Sequence, residues 1–301
     1  MAELEAAAAV LRNAGVDVEM APTESAESTG PQARAAALSG RDVVFACGGD
    51  GTIHDVLQGM VGLPNECALG VIPMGTANAL ASDLGIPRRP AEAARFALQL
   101  SPRRIPAGRM DFTTSAGESA MRYFTVMAGA GPDGALLYKM RAKAKHRLGM
   151  LAYYIRSVLV ASSQLFPPFE VEFTETKTGR VRREVVTQAM AVRITDFGNV
   201  LRRLVHGAAL EREDLRLALF KAPIRITLSL HLFSTFLGQH WSIPGVEVVD
   251  ATEVSCRHLP NTKRKIYTEA DGELLGSMPV RFSVVPNAYT LLMPRRESLK
   301  S

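Results

Sequence analysis

The sequence predicts two parts of different class. Residues 1–107 read as an α/β domain built on a parallel sheet, with the tail 286–301 a candidate to complete it. Residues 108–285 read as an antiparallel, β-rich domain. Two observations carry this division. Up to about residue 100, apolar runs of four to six residues alternate with stretches of helical spacing, which is the pattern of strands buried on both faces beneath helices. From about Arg109 onward, strand-like runs follow one another with few helical stretches between them.

Leu4, Ala7, Ala8, Leu11 and Ala14 recur at helical spacing and Gly15 is a stop signal. "VDVEM" (16–20) alternates as a strand does. Residues 27–38 are Ala-rich and helical, ending at Ser39-Gly40. "DVVFAC" (42–47) is a continuous apolar strand, and Ile53, Val56, Leu57 and Met60 then share a helical face. "ALGVI" (68–72) is a second apolar strand, and "TANALASDLG" (76–85) a short helix. The stretch "SPRRIPAGR" (101–109) marks the boundary. Beyond it, "MRYFTVMA", "FEVEFTE", "REVVTQAMAVRI", "LRLALF", "EVVDATEVSC" and "PVRFSVV" are strands.

The chain has 301 residues and 47% hydrophobic content, enough for one large core or two ordinary ones. No apolar run approaches the ~18 residues a membrane-spanning helix needs; "LGMLAYYIRSVLVA" is broken by Arg156. Glu3 and Glu5 stand where a secretory leader would carry positive charge. Three cysteines (Cys47, Cys67, Cys256) lie far apart, without metal-ligand spacing, and suit core packing in a reducing compartment. The net charge of +5 favours anionic partners without choosing among nucleotides, phospholipid headgroups and nucleic acid.

Four elements could carry chemistry. "GGDGT" (Gly48, Gly49, Asp50, Gly51, Thr52) follows a buried strand and opens a helix, where ligands of open α/β sheets bind. Glycines let main-chain N–H groups approach phosphate, and the helix N-terminus adds a favourable dipole. Asp50 would repel phosphate directly and suits Mg²⁺ held through water. The alternative is a plain turn with Asp50 as a cap. "PMGTAN" (73–78) also follows a strand, offering Gly75 for close approach, Thr76 as hydroxyl and N-cap, and Asn78 as amide. Two such loops after successive parallel strands lie side by side. "EADGELLG" (269–276) places Asp271 and Glu273 around a glycine, either as a hairpin turn with solvated acids or as a proton acceptor in phosphoryl transfer. Residues 139–156 carry Lys139, Arg141, Lys143, Lys145, Arg147 and Arg156, a solvated helix face or a basic surface for anionic lipid.

Together, "GGDGTIH", "PMGTANALASDLGIP", "MAGAGPDG", "KHRLGMLAYYI" and "DGE" resemble the bacterial diacylglycerol kinase/sphingosine kinase-like lipid kinases, in that family's motif order over nearly the whole chain. GGDGT alone is shared with NAD kinases. The resemblance implies a nucleotide-binding α/β domain followed by an antiparallel β-sandwich. It also implies ATP and Mg²⁺ as cofactors and a diacylglycerol-like lipid as acceptor. The protein would sit in the cytoplasm, in peripheral contact with an anionic membrane, without nucleic acid as a partner and with a homodimer left open. It implies that Gly48 to His54, including Ile53, form the nucleotide loop, with Thr23, Gly75, Thr76, Asn78 and Lys145 as further ATP contacts. Asp271 and Glu273 are implied as the catalytic pair, one of them the proton acceptor. A carboxylate of ordinary pKa (~4) is a weak base, so the hydroxyl must be held close.

Three departures follow. The family's opening strand and NP-x-x-G loop have no counterpart here, so a misplaced start or an impaired, merely nucleotide- or lipid-binding protein is an alternative to the kinase. An NAD kinase-type enzyme with a soluble substrate is another. The family's structural Mg²⁺ site, an L-x-x-D-G pattern, is met only by Glu213 in place of the aspartate, with the main-chain carbonyls of Leu210 and Leu215, in "LEREDL". Pro132 replaces a larger apolar residue before Asp133.

Overall fold

The computed structural model describes residues 2–64, 67–131, 167–196, 207–221, 245–260, 262 and 264–295. The chain divides into two compact units, one of Met1–Ala107 with Pro286–Ser301 and one of Gly108–Val285.

Unit 1 carries helices α1 (Ala2–Asn13), α2 (Ala26–Leu38), α3 (Asp50–Met60), α4 (Ala79–Asp83) and α5 (Pro90–Ala97), with strands β1 (Val43–Gly48) and β2 (Ala68–Pro73). β1 and β2 pair in parallel from Val43↔Ala68 to Gly48↔Pro73. The other side of β2 is paired, also in parallel, by the end of the long strand β12 (Glu273–Met293), at Thr290↔Ala68 and Leu291↔Leu69. β2 therefore lies inside the sheet, and all six of its residues are buried, which explains its uninterrupted apolar run. The register matters for function. Because β1 and β2 end level at Gly48 and Pro73, the two loops that follow them emerge side by side.

One expected strand is absent. "VDVEM" forms no regular element. Its acidic positions are used for surface pairing instead: Arg41 bonds both Asp17, at 3.1 Å, and Glu19, while Arg12 donates to the Val18 carbonyl. Alternation alone did not make it a strand, because Val16 is 40% exposed and has no core to enter. The boundary stretch "SPRRIPAGR" is not a break in regular structure. It lies inside β3 (Ser101–Thr113), and the division between the units falls within that strand.

Unit 2 is antiparallel throughout its described pairings. β11 (Tyr267–Ala270) pairs β12 and β5 (Met127–Ala130); β5 pairs β8 (Gln188–Val192); β8 pairs β9 (Leu215–Phe220); β9 pairs β10 (Val246–His258). β10 also pairs β12, so this path closes on itself. β6 (Phe169–Glu175) and β7 (Val181–Val186) extend it beyond β10, and β3 pairs β4 (Ser119–Phe124). Phe112, Phe124, Phe169, Phe173 and Phe282 fill the core between the faces. On β7, Arg182 lies over the Phe173 ring and bridges Glu184 at 2.6 Å and Glu247 at 2.8 Å, and Lys221 bonds the same two carboxylates. Hydrogen bonding to Arg182 holds both glutamates below the usual carboxylate range.

All three cysteines are free thiols, and burial pushes Cys47 up to about 11 and raises Cys256 too. Among the described residues, no helix is long and apolar enough to cross a membrane.

Candidate active site

The first site element is the pair of loops in unit 1. Gly49 is the N-cap of α3 with no side-chain cap, so the first-turn N–H donors point out of the helix end, where anion oxygens can accept them. The second loop is bound to the first by backbone and side chain. Met74 N–H donates to the Gly48 carbonyl at 2.8 Å. Asn78 is the N-cap of α4, in the left-handed region at φ 53, which asparagine tolerates. Its amide folds back on its own loop, accepting from Gly75 N–H at 2.9 Å and donating to the Gly75 carbonyl at 2.8 Å. Gly49 and Gly75 are in backbone contact: a Cβ on Gly75 would lie 2.5 Å from the Gly49 Cα and 2.8 Å from Asn78 Oδ1. Only glycine fits there.

Asp50 closes this arrangement. Its Oδ2 accepts from Asn78 N–H at 2.9 Å and its Oδ1 from Ala79 N–H at 2.7 Å. The carboxylate assigned from sequence to a water-bridged Mg²⁺ thus has both oxygens on backbone donors. It caps the neighbouring helix α4 and locks the two loops together. The expected N-cap also shifts, from Thr76 to Asn78, leaving Thr76 exposed on the loop.

The remaining nucleotide candidates fall into three groups. Gly51 and Thr52 lie in the first turn of α3, with Thr52 packed on the Gly48 α-carbon. Ile53 and His54, each 2% exposed, turn into the core, and Ile53 N–H is spent on the Gly49 carbonyl, so they anchor the loop rather than line it. Thr23 lies exposed between α1 and α2 and is outside this set of bonds. Lys145 and the basic stretch 139–156 lie outside the described residues.

The second element is the β11–β12 hairpin of unit 2. Ala270 pairs Glu273 across a two-residue turn in which Asp271 (φ 49) and Gly272 (φ 82) both take positive φ. That is the turn that Asp-Gly favours between right-twisted strands. Asp271 is not solvated, at 6% exposure. Its Oδ1 accepts from the N–H groups of Val126 (2.8 Å) and Met127 (3.1 Å), and its Oδ2 from Thr125 N–H (3.0 Å) and the Thr125 hydroxyl (3.4 Å). Asp271 N–H returns a bond to the Met127 carbonyl. Buried Glu269 accepts from Gly272 N–H at 3.1 Å and pins the turn from below. Glu273, partly exposed, opens β12.

Of the candidate structural metal ligands, Glu213 is exposed, Leu215 opens β9, and the Leu210 carbonyl accepts from the guanidinium of Arg193 at 2.6 Å. The acid that turns inward is Asp214, which takes a two-pronged bond from Arg212 at 2.7 and 2.8 Å. Sequence reading passed over both Asp214 and Arg193. The signal for Arg193 was available: a lone arginine at the end of an apolar run, "AMAVRI".

Clamped glycine loops after parallel strands, with a β-sandwich carrying an Asp-Gly-Glu hairpin, are the arrangement expected of a kinase of the diacylglycerol kinase type. Residues 2–110 match the diacylglycerol kinase catalytic domain, and residues 135–293 match the YegS C-terminal NAD kinase beta sandwich-like domain. The chain belongs to the bacterial diacylglycerol kinase/YegS-like lipid kinase family. It is 28% identical to a diacylglycerol kinase of Bacillus subtilis (strain 168), over 95% of this chain and 88% of that one. It is 29% identical to a diacylglycerol kinase of Mycobacterium tuberculosis (strain ATCC 25618 / H37Rv), over 96% and 89%. A crystal structure of a diacylglycerol kinase from Bacillus anthracis str. Sterne superimposes with a TM-score of 0.69 at 16% identity, over 97% of this chain and 90% of that one. That last likeness speaks for the fold alone.

Proposed function

We propose that this lipid kinase transfers the γ-phosphoryl group of ATP to the free hydroxyl of a diacylglycerol-like lipid, working from the cytoplasm against an anionic membrane surface. The observation that carries the reading is the clamped pair of glycine loops at the N-terminus of α3, whose first-turn N–H groups suit an anion. Mg²⁺ bound with ATP would supply positive charge against that of the phosphates. The chain's own part is to place the phosphates. The first-turn N–H groups of α3 receive phosphate oxygens, Gly49 and Gly75 let the two loops close on each other, and Thr76 offers its exposed hydroxyl. Asp50 acts on the loops rather than on the metal.

In the transfer, the lipid hydroxyl gives its proton to a carboxylate as its oxygen bonds to Pγ. The bond from Pγ to the bridging oxygen breaks, and ADP leaves. Of the two acids of the hairpin, the lone pairs of Asp271 are directed at the donors of residues 125–127, so its task is to hold the turn. Glu273 is the proton acceptor. Catalysis rests on positioning, since a loose transition state asks little of the base.

The test is a labelled-ATP screen against a lipid panel and NAD. Label in a diacylglycerol-like lipid is the expected result. Label in NAD alone would replace this reading with a soluble-substrate kinase.

A further inference from the structure

Arg193 follows β8, a strand whose every residue is buried, and is itself only 1% exposed. A buried guanidinium costs several kcal/mol unless hydrogen bonds replace its water. Here they do. Nη2 donates to the Leu210 carbonyl at 2.6 Å and Nη1 to the Arg212 carbonyl at 3.3 Å. The same loop is tied outward by Arg212, which bonds Asp214 and, at 2.8 Å, Asp250; Arg216 bonds Asp250 at 2.7 Å. Carbonyl oxygens converging on one positive centre are the ligand set of a hard cation. In this chain the positive centre is a side chain.

Arg193 also reaches the hairpin. Its backbone N–H donates to the Val126 carbonyl at 2.9 Å, and Val126 N–H is one of the donors on Asp271. We infer that Arg193 takes the place of a structural divalent metal in unit 2: it closes the loop 207–214 and holds the turn 125–127 beneath the Asp-Gly-Glu hairpin. It is a positioning residue, and its kinetic effect rests on the reading of that hairpin as catalytic. The need for divalent metal then comes from MgATP alone.

The test uses the full chain. Without nucleotide, Tm is expected to agree within about 1 °C between EDTA and millimolar MgCl₂; a fall of several degrees in EDTA overturns the inference. Arg193→Met is expected to lower Tm by about 5–10 °C and kcat by about tenfold or more, with KM for MgATP unchanged. Arg193→Lys keeps the charge with fewer donors and restores part of both. A wild-type kcat in Arg193→Met, or a raised KM alone, contradicts the positioning role. Should Arg193→Met not fold, Arg193→Lys decides: a reduced kcat at unchanged KM supports the role, and a wild-type kcat removes it. Full turnover in Glu273→Gln would refute the catalytic reading of the hairpin while leaving the EDTA result standing.

Discussion

Removing the Asp50 carboxylate is the sharpest perturbation of the nucleotide loops. Two backbone N–H groups, on Asn78 (5% exposed) and Ala79 (9% exposed), depend on it, at 2.9 and 2.7 Å. Neither gains ready access to water when the acceptor is lost. Hydrogen bonds to a charged group contribute about 1.5–3 kcal/mol each. Part of that returns through relaxation of a loop that borders solvent, so Asp50→Ala is expected to cost about 2–4 kcal/mol. For a chain of this size that is a fall of about 3–6 °C in Tm. Asp50→Asn keeps one acceptor oxygen and turns an NH₂ toward the other donor, so it should lose about half as much. Thermal melts of the three proteins give the order wild type, Asn, Ala. The kinetic companion is a rise in KM for MgATP of about tenfold or more, because the loops no longer hold their spacing. The Mg²⁺ concentration needed at saturating ATP should not move. Variants that melt with the wild type but need more Mg²⁺ would refute the clamp and return Asp50 to the metal.

Other substitutions test neighbouring steps. Gly75→Ala drives a Cβ to 2.5 Å from the Gly49 Cα, a backbone clash that should cost about 1–3 kcal/mol and weaken ATP binding, measured by calorimetry. Glu273→Gln is expected to lower kcat by about 10²–10⁴-fold with Tm unchanged, whereas Asp271→Asn should lower Tm first, because it breaks the grip on residues 125–127; steady-state kinetics beside thermal melts separate the two. The acid limb of stability has a source in Glu184 and Glu247, which hydrogen bonds from Arg182 hold below the ordinary carboxylate value of 4.5. A depressed folded pKa contributes stability that is present above that value and lost as pH falls through the lower, folded one. Arg182→Met should flatten the loss of stability below about pH 4.5 in urea melts across pH, and an unchanged slope would remove the network from the account.

The β-rich half was legible because each strand carries its own pattern: "FEVEFTE" and "LRLALF" coincide with β6 and β9, residue for residue. The two glycine loops were legible because each directly follows an apolar strand. What sequence did not reveal is which partner each polar group finds. Asp50 bonds a residue 28 positions away and Asp271 residues 144 to 146 away, so a loop aspartate could not be told from a metal ligand, nor a catalytic acid from a clamp. "VDVEM" has strand alternation without a core to enter. Arg193 was hidden because its partners are carbonyl groups, which no residue type announces.

The most direct measurement is transfer of label from γ-labelled ATP to diacylglycerol in anionic vesicles, with NAD present as a competing acceptor, for wild type and Glu273→Gln. The account predicts labelled lipid from the wild type, little from the variant, and no labelled NAD. Label in NAD but not in lipid, or equal lipid labelling by both proteins, would contradict it.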